Sequence, residues 1–462
     1  VVEVAFPRLV IAAPYGRSGK TTVSIGLCAA LRERGLQVQP FKKGPDYIDP
    51  SWLSEAAGRP CRNLDPWMLD DEQLLSAFAH GARGADVAIV EGNHGLYDGI
   101  AAAEAGDEDE EGSTAAVARL LAAPVVLVVD TARMGRSVAA LIQGYVGFEP
   151  GTQIAGVILN NVAQARHEAR LRQAIERHCH LPVLGAIPRR AALTIPDRHL
   201  GLVPRDEDAT LLPTIAHARD VVAESCDLDV ILALARAAPP LAAPSQSAPD
   251  APPTCRIGVI RDRAFTFYYP ENLEALEGAG AQLVPVDALS GERLPEVDAL
   301  YIGGGFPEVF MDDLAANSGL RADLHDAAQA GLPIYAECGG LMYLSRSLSW
   351  QGRHRPMVGV LPCDVEVVER PQGHGYVAGK VITDSPFFPV GTCLRGHEYH
   401  HSRVYAMDEG MTFAFRLSRG KGLGNGLDGI VQGNVLAAYT HLHAAGVPGW
   451  AGAMVAAASS AR

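Results

Sequence analysis

Short β-branched apolar runs alternate with longer amphipathic stretches through the first half of the chain: Arg8–Ala13, Thr22–Arg34, Val87–Val90, Thr114–Leu121, Val125–Asp130 and Ile154–Leu159. Such alternation predicts βαβ units on a parallel sheet. Periodicity stops at AAPPLAAPSQSAPDAPPT, residues 237–254, where Pro, Ala and Ser predict a linker. Beyond it the alternation resumes, with apolar runs at Arg256–Ile260, Gln282–Val286, Ala299–Ile302 and Pro333–Ala336 and helical patterns at Pro270–Ala279 and Met311–Ala330. The expectation is an α/β protein of two independent domains, residues 1–236 and 255–462, with no repeat relating them.

Composition narrows the class. Among 462 residues, 39 are Lys or Arg and 53 are Asp or Glu, a net charge of −14. That balance excludes a generally cationic, nucleic-acid-binding surface. A hydrophobic content of 48% suffices for two cores. No apolar run reaches the ~18 residues that span a bilayer, and no basic segment leads into a signal-type apolar stretch, so a cytoplasmic protein without membrane or nucleic-acid partners is expected. The eight cysteines lack zinc-ligand spacing and read as reduced thiols. The acidic run at residues 104–111 reads as a solvated loop or an active-site lid.

Pro14-Tyr15-Gly16-Arg17-Ser18-Gly19-Lys20-Thr21-Thr22 joins the first strand to a helix. Backbone N–H groups of such a turn point at a phosphate chain, Lys20 adds a charge, and the Thr21 hydroxyl reaches a magnesium ion. Gly16, Ser18, Gly19, Lys20, Thr21 and Thr22 are therefore candidate ATP contacts, although Pro14 stands where the usual pattern has Gly or Ala. Asp46 and Glu91 follow other strands, where ligands of open α/β sheets gather. With Thr21 they make an oxygen set for Mg2+; singly, each also reads as a turn residue or helix cap. Asn160, at the end of Gly156-Val157-Ile158-Leu159-Asn160-Asn161, could meet an adenine edge or serve turn chemistry.

In the second half, Ile334-Tyr335-Ala336-Glu337-Cys338-Gly339-Gly340 runs from strand through a tight turn into a helix, the form of a nucleophile elbow. A helix N-terminus there would favour the Cys338 thiolate. His441 and His443 alternate in Tyr439-Thr440-His441-Leu442-His443, so one of them faces the thiol as its base. Gly304 and Gly305, in the turn Gly303–Gly305, could hold an oxyanion together with the Gly339 N–H. These parts describe acyl transfer by a thiol. The rival reading is a nucleotide-switch ATPase of partition or maturation type with a non-catalytic C-terminal domain.

The blocks APYGRSGKTT, KKGPDYIDP, NLDPWML, EGNHGLYDG, IPDRHLGL, YIGGGFPE, YAECGGLMYL, RGHEYHHS and YTHLH, in this order, resemble the glutamine-dependent cobyrinic acid a,c-diamide synthase family along nearly the whole chain. The resemblance implies an ATP-binding domain of dethiobiotin synthetase type, then a class I type glutaminase domain with Cys338 as nucleophile and His441 as base. It implies ATP, L-glutamine and a tetrapyrrole polycarboxylate as substrates, with Mg2+ as cofactor. It also puts His443 where other class I glutaminases keep an acid, so a conventional Cys-His-Glu triad is not expected. Lys42 joins the ATP contacts, Asp98 the catalytic groups, and Tyr47, Asp49, Arg198, His199, Arg395 and His397 the substrate contacts. Asn93, His94 and Tyr97 depart from the family's E-G-V-M-G-L-F-D-G; Asn93 and Tyr97 look like the sirohydrochlorin and sirohaem amidase branch.

A net charge of −14 must conceal a local cationic patch for such a substrate, and Arg189, Arg190, Arg198 and His199 are the expected one, or else a solvated basic turn. The cluster Arg395, His397, His400 and His401 reads as substrate contact or packing before metal binding, and His178-Cys179-His180 as a helix end. A homodimer is compatible with these readings.

Overall fold

The structure, a computed structural model, describes residues 2–100, 112–189, 197–198, 201–202, 211–243 and 252–460. The chain divides into two compact units, Val1–Gln246 and Ser247–Arg462.

In the first unit, seven parallel strands lie in the order Arg62–Leu64, Val38–Lys43, Val87–Glu91, Arg8–Ala12, Val125–Asp130, Ile154–Val162, Val183–Pro188. Arg8–Ala12, Val38–Lys43 and Val87–Glu91 are buried at every residue, as a sheet covered on both faces requires. One core joins Leu9, Ile11, Val126 and Ile158 of the sheet to Ile25 and Leu27 of the helix Lys20–Glu33, Trp52 of Ile48–Ala57 and Val222 of Leu211–Ser225. Because Arg8–Ala12 is central, its loop emerges mid-sheet, flanked by the C-terminal ends of Val87–Glu91 and Val125–Asp130.

The second unit holds a ten-stranded mixed sheet. Five parallel strands come first, in the order Ala281–Val286, Cys255–Ile260, Ala299–Ile302, Ile334–Glu337, Val435–Ala438. Leu427–Gln432, Thr412–Arg419, Gly373–Val381, Cys393–His400 and His441–Leu442 extend it antiparallel. A smaller four-stranded sheet lies in the order Arg353–Pro356, Ser347–Trp350, Asp364–Val367, Ser402–Tyr405.

Two expectations change. The helical pattern Met311–Ala330 is two helices, Met311–Ala316 and Ser318–Gln329, parted by Asn317. The Asn317 side chain accepts from Leu320 N and donates to the carbonyls of Ala288 and Gly291, so tertiary hydrogen bonds override the periodicity. Of the expected linker, Leu241–Ala243 pairs antiparallel with Val2–Val4, and residues 244–251 lie outside the described residues. Residues 104–111 lie outside them too.

Arg8 closes the first unit from within. Its side chain is fully buried, and its guanidinium donates to the carbonyls of Phe6, Leu121, Ala122 and Pro239. Substituting Arg8→Met strips these carbonyls of their donors and is expected to cost about 3 kcal/mol, read as a lower urea midpoint for the first unit; an unchanged midpoint would refute this role.

Candidate active sites

The loop after Arg8–Ala12 enters the helix Lys20–Glu33 through Gly19, whose φ is +94°, a value that favours glycine. A Cβ there would lie 2.2 Å from Asn160 Nδ2. Asn160 donates from Nδ2 to Ser18 O at 2.9 Å and accepts from Asn161 N through Oδ1 at 2.9 Å. Asn160 thus buttresses the phosphate loop, and the second N–H of Nδ2 and second lone pair of Oδ1 keep the capacity to meet an adenine edge. Ser18 is buried and its hydroxyl donates to Tyr15 O, Gly16 faces open space, and Thr22 is half-buried on the helix.

Lys20 Nζ donates to His94 O at 2.6 Å. Burial, then the neighbouring Lys42 charge, bring its pKa down to about 8 against the pull of Glu91, Asp49 and Asp98. Lys42 lies among carboxylates: its Nζ is 2.8 Å from Glu91 Oε1, 2.5 Å from Asp49 Oδ2 and 3.7 Å from Asp46 Oδ2. Burial disfavours that ammonium, but Asp49, Glu91 and Asp46 raise it well above the usual lysine range. In turn it holds Asp49 low against burial. Burial and Asp49 push Asp46 up to about 7, and burial raises Glu91 despite Lys42.

Thr21 Oγ1 donates to Glu91 Oε1 at 2.8 Å and lies 3.5 Å from Asp49 Oδ2. Asp46 Oδ1 instead caps the helix Ile48–Ala57, accepting from Ile48 N and Asp49 N. Asp49 thereby joins the expected set Thr21, Asp46 and Glu91 at the hydroxyl, while Asp46 Oδ2 stays in the cluster beside Lys42. Glu91 Oε2 is buried without a hydrogen-bond partner. Among the described residues no group of three or more His, Cys, Asp or Glu is placed to hold a metal unaided. A hydroxyl, one or two carboxylates and substrate phosphates nevertheless suit Mg2+, so Thr21, Glu91 and Asp49 fit the implied ion.

Tyr47 is half-buried at the start of the helix Ile48–Ala57. Asp98 is exposed and accepts from Gly95 N at 2.7 Å, which closes its own turn, while its charge reaches Lys20. Arg190 and His199 lie outside the described residues, Arg198 is described only as strand backbone, and Arg189 N donates to Val162 O.

In the second unit, Cys338 follows the strand Ile334–Glu337 at φ +47° and ψ −97°, a strained conformation for a non-glycine residue, and starts the helix Gly339–Leu344. The strained elbow is present. The favoured thiolate is not: burial pushes the thiol up, Glu308 adds to this, and only the Gly339 N–H opposes it before Glu337 and Asp428 raise it further. Cys338 is 5% exposed, and a six-residue helix does not offset that desolvation.

Gly304 lies against the base and Gly305 against Gly339, the residue after the nucleophile. A Cβ on Gly304 would meet His441 Cε1 at 2.6 Å, and one on Gly339 would meet Gly305 N at 2.9 Å. Gly303 N already donates to Tyr268 Oη at 2.7 Å. His441 Nδ1 is 3.3 Å from Glu337 Oε2. Tyr301 Oη donates to the same oxygen, and Tyr335 Oη and Leu442 N donate to Oε1. The carboxylate beside the base therefore comes from the residue before the nucleophile and not from position 443, a partner that the sequence reading did not name. Its one sequence signal was a charge closing the otherwise uncharged run Ile334–Ala336.

His397 pairs with His441 across the sheet and stacks on it, ring centroids 4.9 Å apart, with Tyr269 Oη 2.8 Å from its Nε2. Burial and the His441 charge hold His397 well below the usual histidine range. This buried ring supports the base, correcting its assignment to tetrapyrrole contact; Arg395 is exposed on the same strand. His443 is fully buried, 5.0 Å from the Tyr269 ring, with Nε2 3.7 Å from Glu271 Oε2. His400 is held by Ser402 O and Glu398. His178 and Cys179 end a helix that His180 terminates, as expected.

A nucleotide loop in one unit and a thiol–imidazole–carboxylate constellation in the other are the plan of a glutamine-dependent ligase. Residues 9–203 match the CobQ/CobB/MinD/ParA nucleotide binding domain and residues 256–448 the CobB/CobQ-like glutamine amidotransferase domain. The chain belongs to the cobyrinate a,c-diamide synthase family. It is 48% identical over 459 residues to the cobyrinate a,c-diamide synthase of Magnetococcus marinus, covering 96% of each chain. It is 40% identical to that of Methanosarcina barkeri, over 99% of this chain and 97% of the relative. It is 44% identical to the hydrogenobyrinate a,c-diamide synthase of Streptomyces coelicolor, over 96% of each.

Two outcomes follow for the nucleotide loop. Gly19→Ala forces a contact with Asn160 costing about 1–3 kcal/mol, so ATP is expected to bind about tenfold more weakly or worse while glutamine hydrolysis is kept; equal ATP affinity would contradict the buttress. Lys20 is charged below its lowered pKa and neutral above it. Hence ATP affinity, read by direct binding, should weaken as pH rises through about 8, and an affinity unchanged across that range would contradict it.

Proposed function

We propose that this chain amidates the a and c acetate side chains of a cobyrinate-type tetrapyrrole, taking nitrogen from glutamine and activating each carboxylate with ATP as an acyl phosphate. The observation that carries the reading is the separate equipment of the two units, a cationic phosphate loop in one and Cys338, His441 and Glu337 in the other. The names of the relatives support the macrocycle class.

A carboxylate resists amidation because its negative charge repels a nucleophile and its oxygen leaves poorly. In the first unit an acetate oxygen attacks the γ-phosphorus of ATP, and ADP departs. Lys20 and the loop N–H groups stabilise the charge on the transferred phosphoryl group. Thr21, Glu91 and Asp49 would hold Mg2+, which would supply further neutralisation of the phosphates. Ammonia then adds to the acyl carbon, inorganic phosphate leaves, and the amine proton passes to a carboxylate, for which Asp98 is the candidate.

In the second unit the resting thiol is protonated. Cys338 Sγ gives its proton to His441 as it attacks the glutamine amide carbon. The oxyanion is received by backbone N–H groups of Gly304, Gly305 and Gly339. His441 returns the proton to the leaving ammonia, and water hydrolyses the thioester to glutamate. Glu337 orients the imidazole through Nδ1 and stabilises the imidazolium. The nucleotide-switch alternative leaves Cys338, His441 and Glu337 without work and is disfavoured for that reason.

With ATP, magnesium and glutamine, cobyrinic acid is expected to lose about one mass unit for each acid converted to amide. Sirohydrochlorin, its nickel form and sirohaem serve as competing substrates. ATP hydrolysis with no macrocycle amidated would overturn the reading. Cys338→Ala should abolish glutamine-supported amidation and keep the ammonium-supported reaction; loss of both would contradict the division of labour. Glu337→Gln should lower glutaminase kcat at least about tenfold with little change in KM and an altered pH profile, partly restored by Glu337→Asp. An unaltered kcat and pH profile would remove Glu337 from the mechanism.

A further inference from the structure

We infer that the first unit carries a preformed polycarboxylate site, separate from the phosphate loop, in a cavity of about 740 Å³ between the turn after Val125–Asp130 and the helix Ala165–Cys179. This inference rests on the tetrapyrrole reading above and says where that substrate's carboxylates are held. Arg136, Arg166, Arg170, Arg177, His167 and His178 line the cavity, and among the described residues no Asp or Glu does. A chain of net charge −14 has concentrated guanidinium groups there.

Three features favour a ligand over a merely solvated helix face. Arg166, Arg170 and Arg177 recur at intervals of four and seven, which places them within a 40° arc and ~16 Å along one helix face. Among the described residues they form no ion pair; the nearby Glu168 is bonded to Arg172. Arg166 also sits in the first turn, where the helix dipole disfavours a cation. That position costs stability in the free protein and is offset once an anion binds.

The walls are fixed. His167 Nε2 lies 2.8 Å from Met134 O, Arg136 Nη2 lies 3.3 Å from His178 Nε2, and Gln143 Nε2 donates to His178 O. These contacts tie the turn and the following helix Ser137–Phe148 to the arginine-bearing helix at both of its ends.

Charge spacing selects the ligand class. A triphosphate concentrates its charge and is matched by convergent donors such as the loop Gly16–Thr22. Guanidinium groups strung over ~16 Å match carboxylates distributed around a broad, flat molecule, each able to take a bidentate pair. Placement agrees as well. Asn160 touches Ser18 of the phosphate loop, and Ala163, three residues on, lines the cavity, at most ~10 Å of extended chain away. A macrocycle held by some of its carboxylates here can extend another acetate toward Lys20.

The test uses the full chain, cobyrinic acid as probe and its neutral heptamethyl ester as control. Wild type should bind the acid at least about tenfold more tightly than the ester, with affinity that falls as salt rises. The triple substitution Arg166→Gln, Arg170→Gln and Arg177→Gln should weaken acid binding and raise the macrocycle KM at least about tenfold, flatten the salt dependence, and leave the KM for ATP and for glutamine unchanged. Arg170→Gln alone, expected to give a smaller loss in the same direction, serves if the triple variant fails to fold. Wild type that binds and amidates the acid, with variants that match it in KM and salt dependence, overturns the site and leaves the proposed function standing. A rise in the KM for ATP would reassign the cavity to the nucleotide. Wild type that neither binds nor amidates any macrocycle overturns both readings.

Discussion

The first unit turns on one buried ammonium. Lys42 is almost fully buried at the end of its strand, with Asp46, Asp49 and Glu91 around it. Glu91 is buried and Asp46 and Asp49 are partly so, and it is this ammonium that favours their ionised forms against burial and mutual repulsion. With it, Glu91 and Asp49 remain oxygen donors beside the Thr21 hydroxyl, at the point where the central strand delivers its phosphate loop. The same cluster bears on Lys20, whose ammonium is weakened by burial and by Lys42 and supported by Glu91 and Asp49. The nucleotide site is therefore a balance of opposed buried charges, and an arriving triphosphate adds negative charge where the lysines stand ready.

The second unit solves a different problem with a similar device. Glu337 is buried but receives hydrogen bonds from two tyrosines and a backbone N–H, besides its contact with His441. Four donors compensate the desolvation of one carboxylate. The imidazole is fixed from three sides: Glu337 at Nδ1, the His397 ring against its face, and Gly304 too close for any side chain to intervene. Cys338, by contrast, is held in a strained backbone with its thiol protonated. In the proposed chemistry the resting site is inert and becomes nucleophilic only through proton transfer to a base already in place.

Much of this was legible in the sequence, because glycine turns between a strand and a helix are local. The loop Gly16–Thr22, the Cys338 elbow and the turn Gly303–Gly305 all declare themselves within a few residues. What stayed hidden depends on contacts between residues far apart in the chain. Glu337 and His441 are separated by more than a hundred residues, and only the sheet register brings them together. Asn160 reads as a ligand contact or a turn residue, and its hydrogen bond to Ser18 O, made across the sheet, does not show in the sequence. The break at Asn317 follows from carbonyls of an earlier turn, and the thiol's protonation follows from depth, which spacing does not report. The arginine stripe of the helix Ala165–Cys179 was visible as sequence, but the turn that makes it one wall of a cavity was not.

Both units serve one chemical logic in the proposed account: activate the oxygen in the first, release ammonia in the second. Activation as an acyl phosphate is the central claim, and oxygen transfer tests it most directly. A macrocycle whose side-chain carboxylates carry 18O is amidated with unlabelled ATP, and the phosphate released is analysed by mass. One labelled oxygen in phosphate for each amide formed is the result the account predicts; phosphate free of label while amide accumulates would contradict it.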